Sequence, residues 1–479
     1  MFNLLQEGLT SHSWFNDRRL STRFGRIIDQ IGNNFGCSLP KSAGNVGQTQ
    51  ALYRFMNNSK VSVPLLYQSA GSFCKEELSK LSGKTYLSVS DTTTLNYTTN
   101  KSRHHLDCLD SVKQKGLFCQ TMMLMDDSGC PHHLVRQSFY NRPAATLGQS
   151  RSVSSTQQAK IPIEDKESYR WLEDYQELET LFGQMPQHRI VHLIDSEGDI
   201  FELFASRHYE HIHILTRAHH DRLLYIDPKK AKLGVAQPTN LKIAVGETAC
   251  QACFSIVVTD DKTGEKRQAR LEMRWASVTL DVPQTLKSYQ KDKGYTPEPI
   301  NVVEVREITP ADSTKHPFEP LHWILMTTLP VQTVEQAAEI IHFYTLRWRI
   351  EDFHVVLKEG SEVEELQFET EEALKNALVV YSIVAIQVLN LRYLSQSQPD
   401  KPIQEVGIPV QAYKAVAEVL KKVKKIKIDI VDNPTVAQFC QLITLLGTGN
   451  KKNTGIRALW RGIRDFNLIW DTYKAFFDG

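Results

Sequence analysis

Two aspartates are the residues of this chain whose type and position first suggest chemistry. Asp91 and Asp195 each follow an apolar run of strand length. Ligands bind at the carboxyl ends of strands in open α/β sheets, so two such aspartates on neighbouring strands are candidate ligands of a shared divalent cation. Magnesium commonly takes one or two protein carboxylates together with substrate phosphates. The pair therefore predicts a magnesium-type site that acts on a phosphate-bearing substrate.

A predicted helix supplies a third element. It begins near Thr333 in a capping-box pattern and is expected to run to about Lys358. Four of its residues, at i, i+3, i+7 and i+14, are Tyr344, Arg347, Glu351 and Lys358. At about 100° per residue they project at about 0°, −60°, −20° and −40°, which is one stripe. Such a stripe suits a phosphate lying along the helix, with the carboxylate on metal and the cations on phosphate oxygens. The alternative is an ion-paired surface helix.

The elements that must position these residues belong to a mixed α/β fold. Apolar runs that end at Asp91, and over 117–125 and 134–140, predict an antiparallel meander. A helix is predicted over 166–182. A strand over 188–194, a helix over 199–206 and a strand over 211–216 predict a parallel crossover unit. Residues 225–330 are rich in strand patterns and are interpreted as a β insertion before the helix at Thr333.

Composition limits the class of protein. The chain has 479 residues, 56 Lys and Arg against 55 Asp and Glu, and a formal net charge of +1. A hydrophobic content of 41% with 23% charged residues excludes a disordered, collagen-like or disulfide-dense chain. The most apolar stretch, over 377–391, is shorter than the about 20 residues of a membrane helix. It predicts a buried core helix and no membrane partner.

The eight cysteines are scattered along the chain, and the first residues lack the basic and then apolar pattern of a signal peptide. These features predict reduced thiols and a cytoplasmic location. Cys250 and Cys253 form a single C-x-x-C. A zinc site normally needs a second pair, or histidines at matching spacing, and neither lies nearby in the sequence. The pair is interpreted as two strand residues, with metal or redox use as the alternative.

The N-terminal segment is basic and has helical periodicity. Up to Lys60 it carries seven Lys or Arg and three Asp or Glu. A small basic helical domain is a common DNA reader, although a solvated basic helix face gives the same pattern. The arginines concerned are Arg18, Arg19, Arg23, Arg26 and, further on, Arg54.

The segment from Tyr344 to Lys358 resembles the Y-x2-R-x3-E-x6-K signature of the DDE transposases of the insertion-sequence-four type. The segments Asp91–Tyr97 and Asp195–Asp199 resemble the two aspartate segments of the same family. The order, spacing and total length agree with the family, so the resemblance covers nearly the whole chain. Ser196 and His219 depart from the family pattern, which has an arginine and a lysine at these places.

The resemblance implies a ribonuclease-H-like catalytic core over 71–375 with the β insertion at about 225–330. It implies an N-terminal helical domain over 1–70 that binds DNA ends and a C-terminal helical domain over 376–479 that dimerises. Asp91, Asp195 and Glu351 would be the catalytic residues and would hold two Mg²⁺ or Mn²⁺ ions for in-line phosphodiester chemistry. Water would free a 3′-OH, a hairpin would form and open, and the 3′ end would join target DNA.

The resemblance also implies roles in DNA binding for further residues. Tyr344, Arg347, Lys358 and Arg217 would contact the backbone, Trp323 or Trp348 would stack on a flipped base, and the N-terminal arginines would recognise the ends. The expected partners are double-stranded DNA, as terminal inverted repeats and as target, and a second copy of the chain in the synaptic complex. The expected location is the bacterial cytoplasm, associated with the nucleoid. The alternatives are a catalytically idle DNA-binding regulator and a metal-dependent nuclease without strand transfer.

Overall fold

The fold was analysed in a computed structural model. It describes residues 3–81, 83–100, 104–142, 144, 147, 161–226, 238–259, 266–284, 286, 296, 298–308, 320–423, 425–448 and 455–477. The chain divides into two compact units. The helical unit comprises Met1–Ser82, Asp91–Ser150 and Trp348–Gly479, and the sheet unit comprises Gly83–Ser90 and Arg151–Arg347. The division into three domains at residues 70 and 375 stays a prediction.

Five helices begin the helical unit. They are α1 (Asn3–Ser11), α2 (Arg18–Asn33), α3 (Leu39–Ala43), α4 (Val46–Met56) and α5 (Val63–Ser79). The α2 helix begins where the Asp17 carboxylate accepts a hydrogen bond from the backbone N–H of Arg19, at 2.9 Å. Phe24 lies on the buried face of α2 and stacks on Phe55 of α4, with ring centroids 6.2 Å apart. The helical prediction for this segment is confirmed, and its last helix runs beyond residue 70.

A β-hairpin and further helices complete this unit. The elements are β2 (Gly116–Asp126), β3 (Pro131–Tyr140), α10 (Arg349–Val355), α11 (Glu371–Ser397), α12 (Val410–Lys422), α13 (Val436–Thr448) and α14 (Ile456–Phe477). Strands β2 and β3 are antiparallel, with Phe118 opposite Tyr140, as the meander predicts. In the sheet order the preceding strand, β1 (Thr85–Asn96), lies beside β2.

Helix α11 is the core helix that the apolar stretch predicts. Among the described residues it is the one helix long and apolar enough to cross a membrane, and 83% of its most apolar window is buried in the fold. Its polar residues bind the hairpin. Gln137 of β3 donates to Ser382 at 2.8 Å, and Asn390 donates to the carbonyl of Pro131 at 2.6 Å. The polar side chains that interrupt the apolar run therefore have partners inside the protein.

The sheet unit has a parallel core. Its elements are the first half of β1, α6 (Tyr169–Phe182), β4 (Arg189–Ile194), α7 (Phe201–Ala205) and β5 (Ile212–Arg217). Val89 of β1 lies opposite Leu193 of β4 in a parallel pair, and β4 is parallel to β5. The predicted strand–helix–strand crossover is confirmed, with boundaries within two residues.

The predicted β insertion extends this same sheet. It contains β6 (Leu223–Tyr225), β7 (Thr239–Asn240), α8 (Leu241–Gly246), β8 (Ala252–Thr259), β9 (Lys266–Leu280), β10 (Glu298–Glu307) and β11 (His322–Thr327). Strand β11 is antiparallel to β5, β10 lies between β11 and β9, and β8 pairs with β9. The segment is strand-rich as predicted. The short helix α8 was not predicted, and the predicted turn over 262–265 lies outside the described residues.

The predicted long helix from Thr333 to Lys358 is wrong, because the structure breaks it. Helix α9 (Val334–Leu346) ends at a turn over Arg347 and Trp348, α10 follows, and a π-helix spans Val356–Gly360. The backbone N–H of Arg347 bonds to the carbonyl of Tyr344, an i to i+3 bond, and that of Ser361 bonds to Val356, an i to i+5 bond. Because the rotation per residue changes at both places, the single-stripe projection does not apply. Thr333 caps α9 as predicted, accepting from the N–H of Gln336 at 3.3 Å.

Candidate nucleic-acid site

The two predicted aspartates occupy different local positions. Asp195 is the first residue after β4, as predicted. Asp91 does not end its strand, because β1 continues for five residues to Asn96. The burial pattern changes at this point instead: Tyr86–Ser90 are buried, whereas Asp91–Thr94 are half-buried. The sequence analysis placed the strand end where the fully buried part of the strand stops.

The Asp195 carboxylate caps a turn. It accepts a hydrogen bond from the backbone N–H of Glu197 at 2.7 Å and begins the 3-10 turn Ser196–Gly198. Its backbone carbonyl accepts from the hydroxyl of Thr216 in β5 at 2.6 Å. These bonds fix the residue between two parallel strands, while its side chain is only half-buried. The carboxylate is therefore held at the strand end with part of its surface accessible.

A cationic cleft lies beside Asp195 in the sheet unit. It has a volume of about 230 Å³ and its polar lining residues are Ser196, Arg217, His219, His220, Lys242 and His322. Arg217 ends β5 and its guanidinium lies 3.4 Å from the Ser196 hydroxyl. Clustered cations beside a half-buried carboxylate suit a phosphodiester backbone.

Asp199 organises the loop that forms this cleft. Its carboxylate is buried and accepts from the backbone N–H groups of His219 and His220, both at 2.8 Å. It also pairs with the guanidinium of Arg222 at 2.5 Å. Burial, with smaller contributions from Arg222 and His219, lowers the pKa of His220, while the nearby Asp199 charge raises it. The buried Asp199 carboxylate thus ties this loop to the end of the parallel strands.

Sequence reasoning missed most of this cleft. Lys242, His220 and His322 come from three separate segments, and none stands in a recognisable motif. The pairing of β11 with β5 brings His322 close to Arg217. The sequence signal that was available was Arg217 itself, 22 residues after Asp195 in the chain.

An aromatic group lies in the same unit. Trp323 of β11 and Tyr344 of α9 meet edge to face with ring centroids 5.6 Å apart. The Arg347 guanidinium lies 6.0 Å from the centre of the Tyr344 ring. Tyr344 is 3% exposed, and burial raises the pKa of its phenol, with the charges of Arg347 and Arg217 opposing the rise. The structure therefore brings together Trp323, Tyr344 and Arg347.

The remaining signature residues belong to the helical unit. Glu351 lies on α10 and is half-buried. Lys358 lies in the π-helix, where its ammonium donates to the carbonyl of Thr94 at 2.9 Å and lies 3.9 Å from the Glu364 carboxylate. Thr94 is three residues after Asp91 in β1, so Lys358 binds the strand segment that carries this aspartate. Trp348 precedes α10 and is 53% exposed.

The predicted end-binding arginines lie on the N-terminal helices. Arg18, Arg19, Arg23 and Arg26 line a shallow pocket of about 470 Å³ on α2. Arg19 pairs with Asp17 at 2.9 Å, and Arg23 donates to Gln48 of α4 at 2.8 Å. Arg54 is exposed on α4. The four α2 arginines thus form one basic face.

The predicted metal-binding carboxylates are divided between the units. Asp195 belongs to the sheet unit, and Asp91 and Glu351 belong to the helical unit. Among the described residues, the one group of three or more His, Cys, Asp or Glu donors within 4.8 Å of one another is Asp126, Cys130 and His132, at the β-hairpin turn. Metal binding by the three carboxylates therefore stays a prediction.

Comparisons with known proteins add one assignment. Residues 7–61 match the family model described as Transposase DNA-binding. The fold is similar to that of a piggyBac transposase in a synaptic complex with hairpin DNA, solved by cryo-electron microscopy. The similarity covers 80% of this chain and 67% of the piggyBac chain, at 9% sequence identity and a TM-score of 0.32. The matched residues cover most of α1 and all of α2–α4, including all five predicted end-binding arginines. The family match supports a DNA transposase with DNA as its partner.

Proposed function

We propose that this protein is a cut-and-paste DNA transposase of the DDE, insertion-sequence-four type with a ribonuclease-H-like core. The observation that carries the proposal is the Transposase DNA-binding match over 7–61 in the same chain as the Asp91, Asp195 and Glu351 segments. The parallel pairing of β1, β4 and β5, with Asp195 directly after β4, supports a nuclease core of this kind.

The donor set fits divalent cations. Asp91, Asp195 and Glu351 are half-buried carboxylates, and Mg²⁺ and Mn²⁺ prefer oxygen ligands. Val89 and Leu193 lie opposite each other in the parallel register of β1 and β4. Asp91 follows Val89 by two residues, and Asp195 follows Leu193 by two residues. Two ions held by these carboxylates would activate the attacking oxygen and stabilise the leaving 3′ oxygen.

In the proposed reaction a water oxygen attacks the phosphorus at the transposon end, and the bond to the 3′ oxygen breaks to leave a 3′-OH. That 3′-OH attacks the opposite strand. The flanking DNA is released, and the transposon end is left as a hairpin. Water opens the hairpin, and the regenerated 3′-OH attacks a target phosphodiester. Each step exchanges one P–O bond for another, so the residues of the chain mainly position DNA.

The side chains of the site have distinct proposed roles. Arg217 and its neighbours in the cationic cleft bind backbone phosphates near Asp195. Lys358 binds the strand of Asp91 through Thr94 and so positions that carboxylate as well as phosphate. Tyr344 is buried against Trp323 and Arg347 is buried against the Tyr344 ring, which supports a role for Tyr344 in orienting this tryptophan. Trp348 is the more exposed of the two tryptophans that could stack on a flipped base.

The helices outside the core have proposed roles in assembly. The α2 arginines and Arg54 recognise terminal inverted repeats, and the helices after residue 376 join two copies when two ends are synapsed. The location proposed for this activity is the bacterial cytoplasm, on the nucleoid.

The experiment that tests the proposal uses DNA that carries the element's own terminal inverted repeats. Asp195→Asn and Glu351→Gln should each lower Mg²⁺-dependent cleavage at least about 10³-fold, about 4 kcal/mol of lost transition-state stabilisation, because each removes one metal ligand. Both variants should bind the ends as the wild type does in a gel-shift assay. Glu247→Gln, an exposed carboxylate after α8, is the matched control and should cleave normally. Normal cleavage by Asp195→Asn would refute the assignment.

A catalytically idle DNA-binding regulator is the second candidate. The family match lies entirely in the DNA-binding segment, and Ser196 and His219 depart from the family pattern at the cleft. Uncut ends and precut ends with a free 3′-OH together separate the candidates. An active transposase cleaves the uncut ends and joins the precut ends to target DNA, a nuclease without strand transfer cleaves but does not join, and a regulator only binds.

A further inference from the structure

Two of the eight cysteines differ from the rest in exposure. Cys250 and Cys253 are exposed, whereas the other six are buried, and all eight are free thiols. The two sulfur atoms lie 3.5 Å apart. Exposed thiols reach solvent oxidants, and a neighbouring thiol can complete a disulfide, whose S–S length is about 2.05 Å. The pair is therefore within a small side-chain movement of covalent bonding.

The two thiols meet where the chain enters β8, because Cys250 precedes the strand, which begins at Ala252, and only Cys253 is the strand residue that was predicted. Residues three apart in a regular strand point to opposite faces of the sheet. Ala252 is the partner of Met273 in the β8–β9 register, and the backbone N–H of Gln251 also donates to the Met273 carbonyl, at 3.0 Å. Gln251 lies just outside the regular ladder, so the alternation of a strand does not apply to Cys250. A regular strand over both cysteines would have separated the thiols.

The surroundings favour oxidation over metal binding. A zinc site needs four donors, of which at least three normally come from the protein. Among the described residues, no group of three or more donor side chains includes Cys250 or Cys253. The residue opposite Cys253 is Glu272, whose carboxylate pairs with Arg274 at 2.6 Å. Two adjacent exposed thiols outside any three-donor group of the described residues are suited to bonding with each other.

We propose that Cys250 and Cys253 form a site of reversible oxidation whose co-reactant is a small-molecule disulfide such as oxidised glutathione. One protein thiolate attacks a sulfur of the small disulfide, breaks its S–S bond and releases one small thiol. The second protein thiolate then attacks the protein sulfur of this mixed disulfide and releases the other small thiol. The two protein thiols are oxidised and release two protons, and the two small thiolates that leave take up two protons through solvent, so the small disulfide is reduced to two thiols. This chemistry does not depend on the proposed transposase activity.

The test treats the full-length native protein with oxidised glutathione, quenches with acid, blocks free thiols with N-ethylmaleimide, and locates the modifications by peptide mass spectrometry. In the wild type, both cysteines should lose alkylation together, and their peptide should lose the mass of two hydrogen atoms. Dithiothreitol should restore full alkylation. The six buried cysteines should show no such change.

Single variants distinguish an internal disulfide from simple reactivity. Cys250→Ser and Cys253→Ser should each stop at a mixed disulfide with one glutathione on the remaining cysteine. The matched control, Cys440→Ser, removes a buried thiol and should leave the oxidation of the pair unchanged. The proposal is overturned by a wild type that stays fully alkylated. It is equally overturned by one that stops at the mixed disulfide or forms only disulfide-linked dimers.

Discussion

Removing the Asp199 carboxylate should destabilise the sheet unit. This carboxylate accepts two backbone N–H groups, both at 2.8 Å, and pairs with Arg222 at 2.5 Å, and both side chains are largely buried. Asp199→Ala leaves the guanidinium without its partner, and breaking a buried ion pair costs about 3–5 kcal/mol. In a unit of this size, the melting temperature falls by about 2–4 °C for each kcal/mol of lost stability. We therefore expect its melting temperature to fall by about 6–20 °C.

Scanning calorimetry of the full chain is the assay, because it detects more than one unfolding transition where a chain does not unfold in a single step. Asp199→Asn keeps a carbonyl oxygen for the two N–H groups and removes the charge. Its melting temperature should therefore fall less than that of Asp199→Ala. In a double-mutant cycle, Asp199→Ala combined with Arg222→Met should cost less than the sum of the single changes, by at least about 0.5 kcal/mol. An Asp199→Ala protein that melts within about 2 °C of the wild type would refute the reasoning.

Two further predictions concern the helical unit. Gly462→Ala would place a Cβ 1.8 Å from the carbonyl oxygen of Ile443. Helices α13 and α14 must then separate, and the free energy of unfolding measured by urea titration should fall by about 1–3 kcal/mol. Gly246→Ala is the control, because a Cβ there meets nothing within 4 Å and should not destabilise the protein. Burial raises the pKa of Asp126, but hydrogen bonds, including one from His132, outweigh it and lower the pKa to about 2. The carboxylate therefore contributes stability above its unfolded pKa of 3.8, and this is lost as pH falls towards 2. The gap in melting temperature between wild type and Asp126→Asn should narrow over that range, and a constant gap would contradict the assignment.

Much of the local structure followed from periodicity and capping. The α2 helix was predicted from its helical repeat, and the β2–β3 hairpin, the parallel β4–β5 pair and the α11 helix were predicted from apolar runs of matching length. The basic N-terminal segment was correctly read as a DNA-binding candidate, since its arginines lie opposite its apolar face.

The errors came where periodicity does not report on the backbone. The turn at Arg347 and Trp348 and the π-helix after Val355 lie in a sequence that continues a helical pattern. Their residue types permit helix at every position, so tertiary packing and not propensity determines the break. Asp91 was taken as a strand end because it ends an apolar run, yet its strand continues through the half-buried residues after it to Asn96.

The sequence by itself determined the types of chemistry available: three carboxylates, a tyrosine–arginine–lysine signature and a basic N-terminal face, each recognisable from nearby residues. Only the tertiary structure decided which distant residues meet. Lys242 and His322 join Arg217 in one cleft, Asp199 holds the loop of that cleft, and the entry of the chain into β8 brings Cys250 to Cys253. Strand pairing sets these contacts across long stretches of chain, and no short-range pattern encodes them.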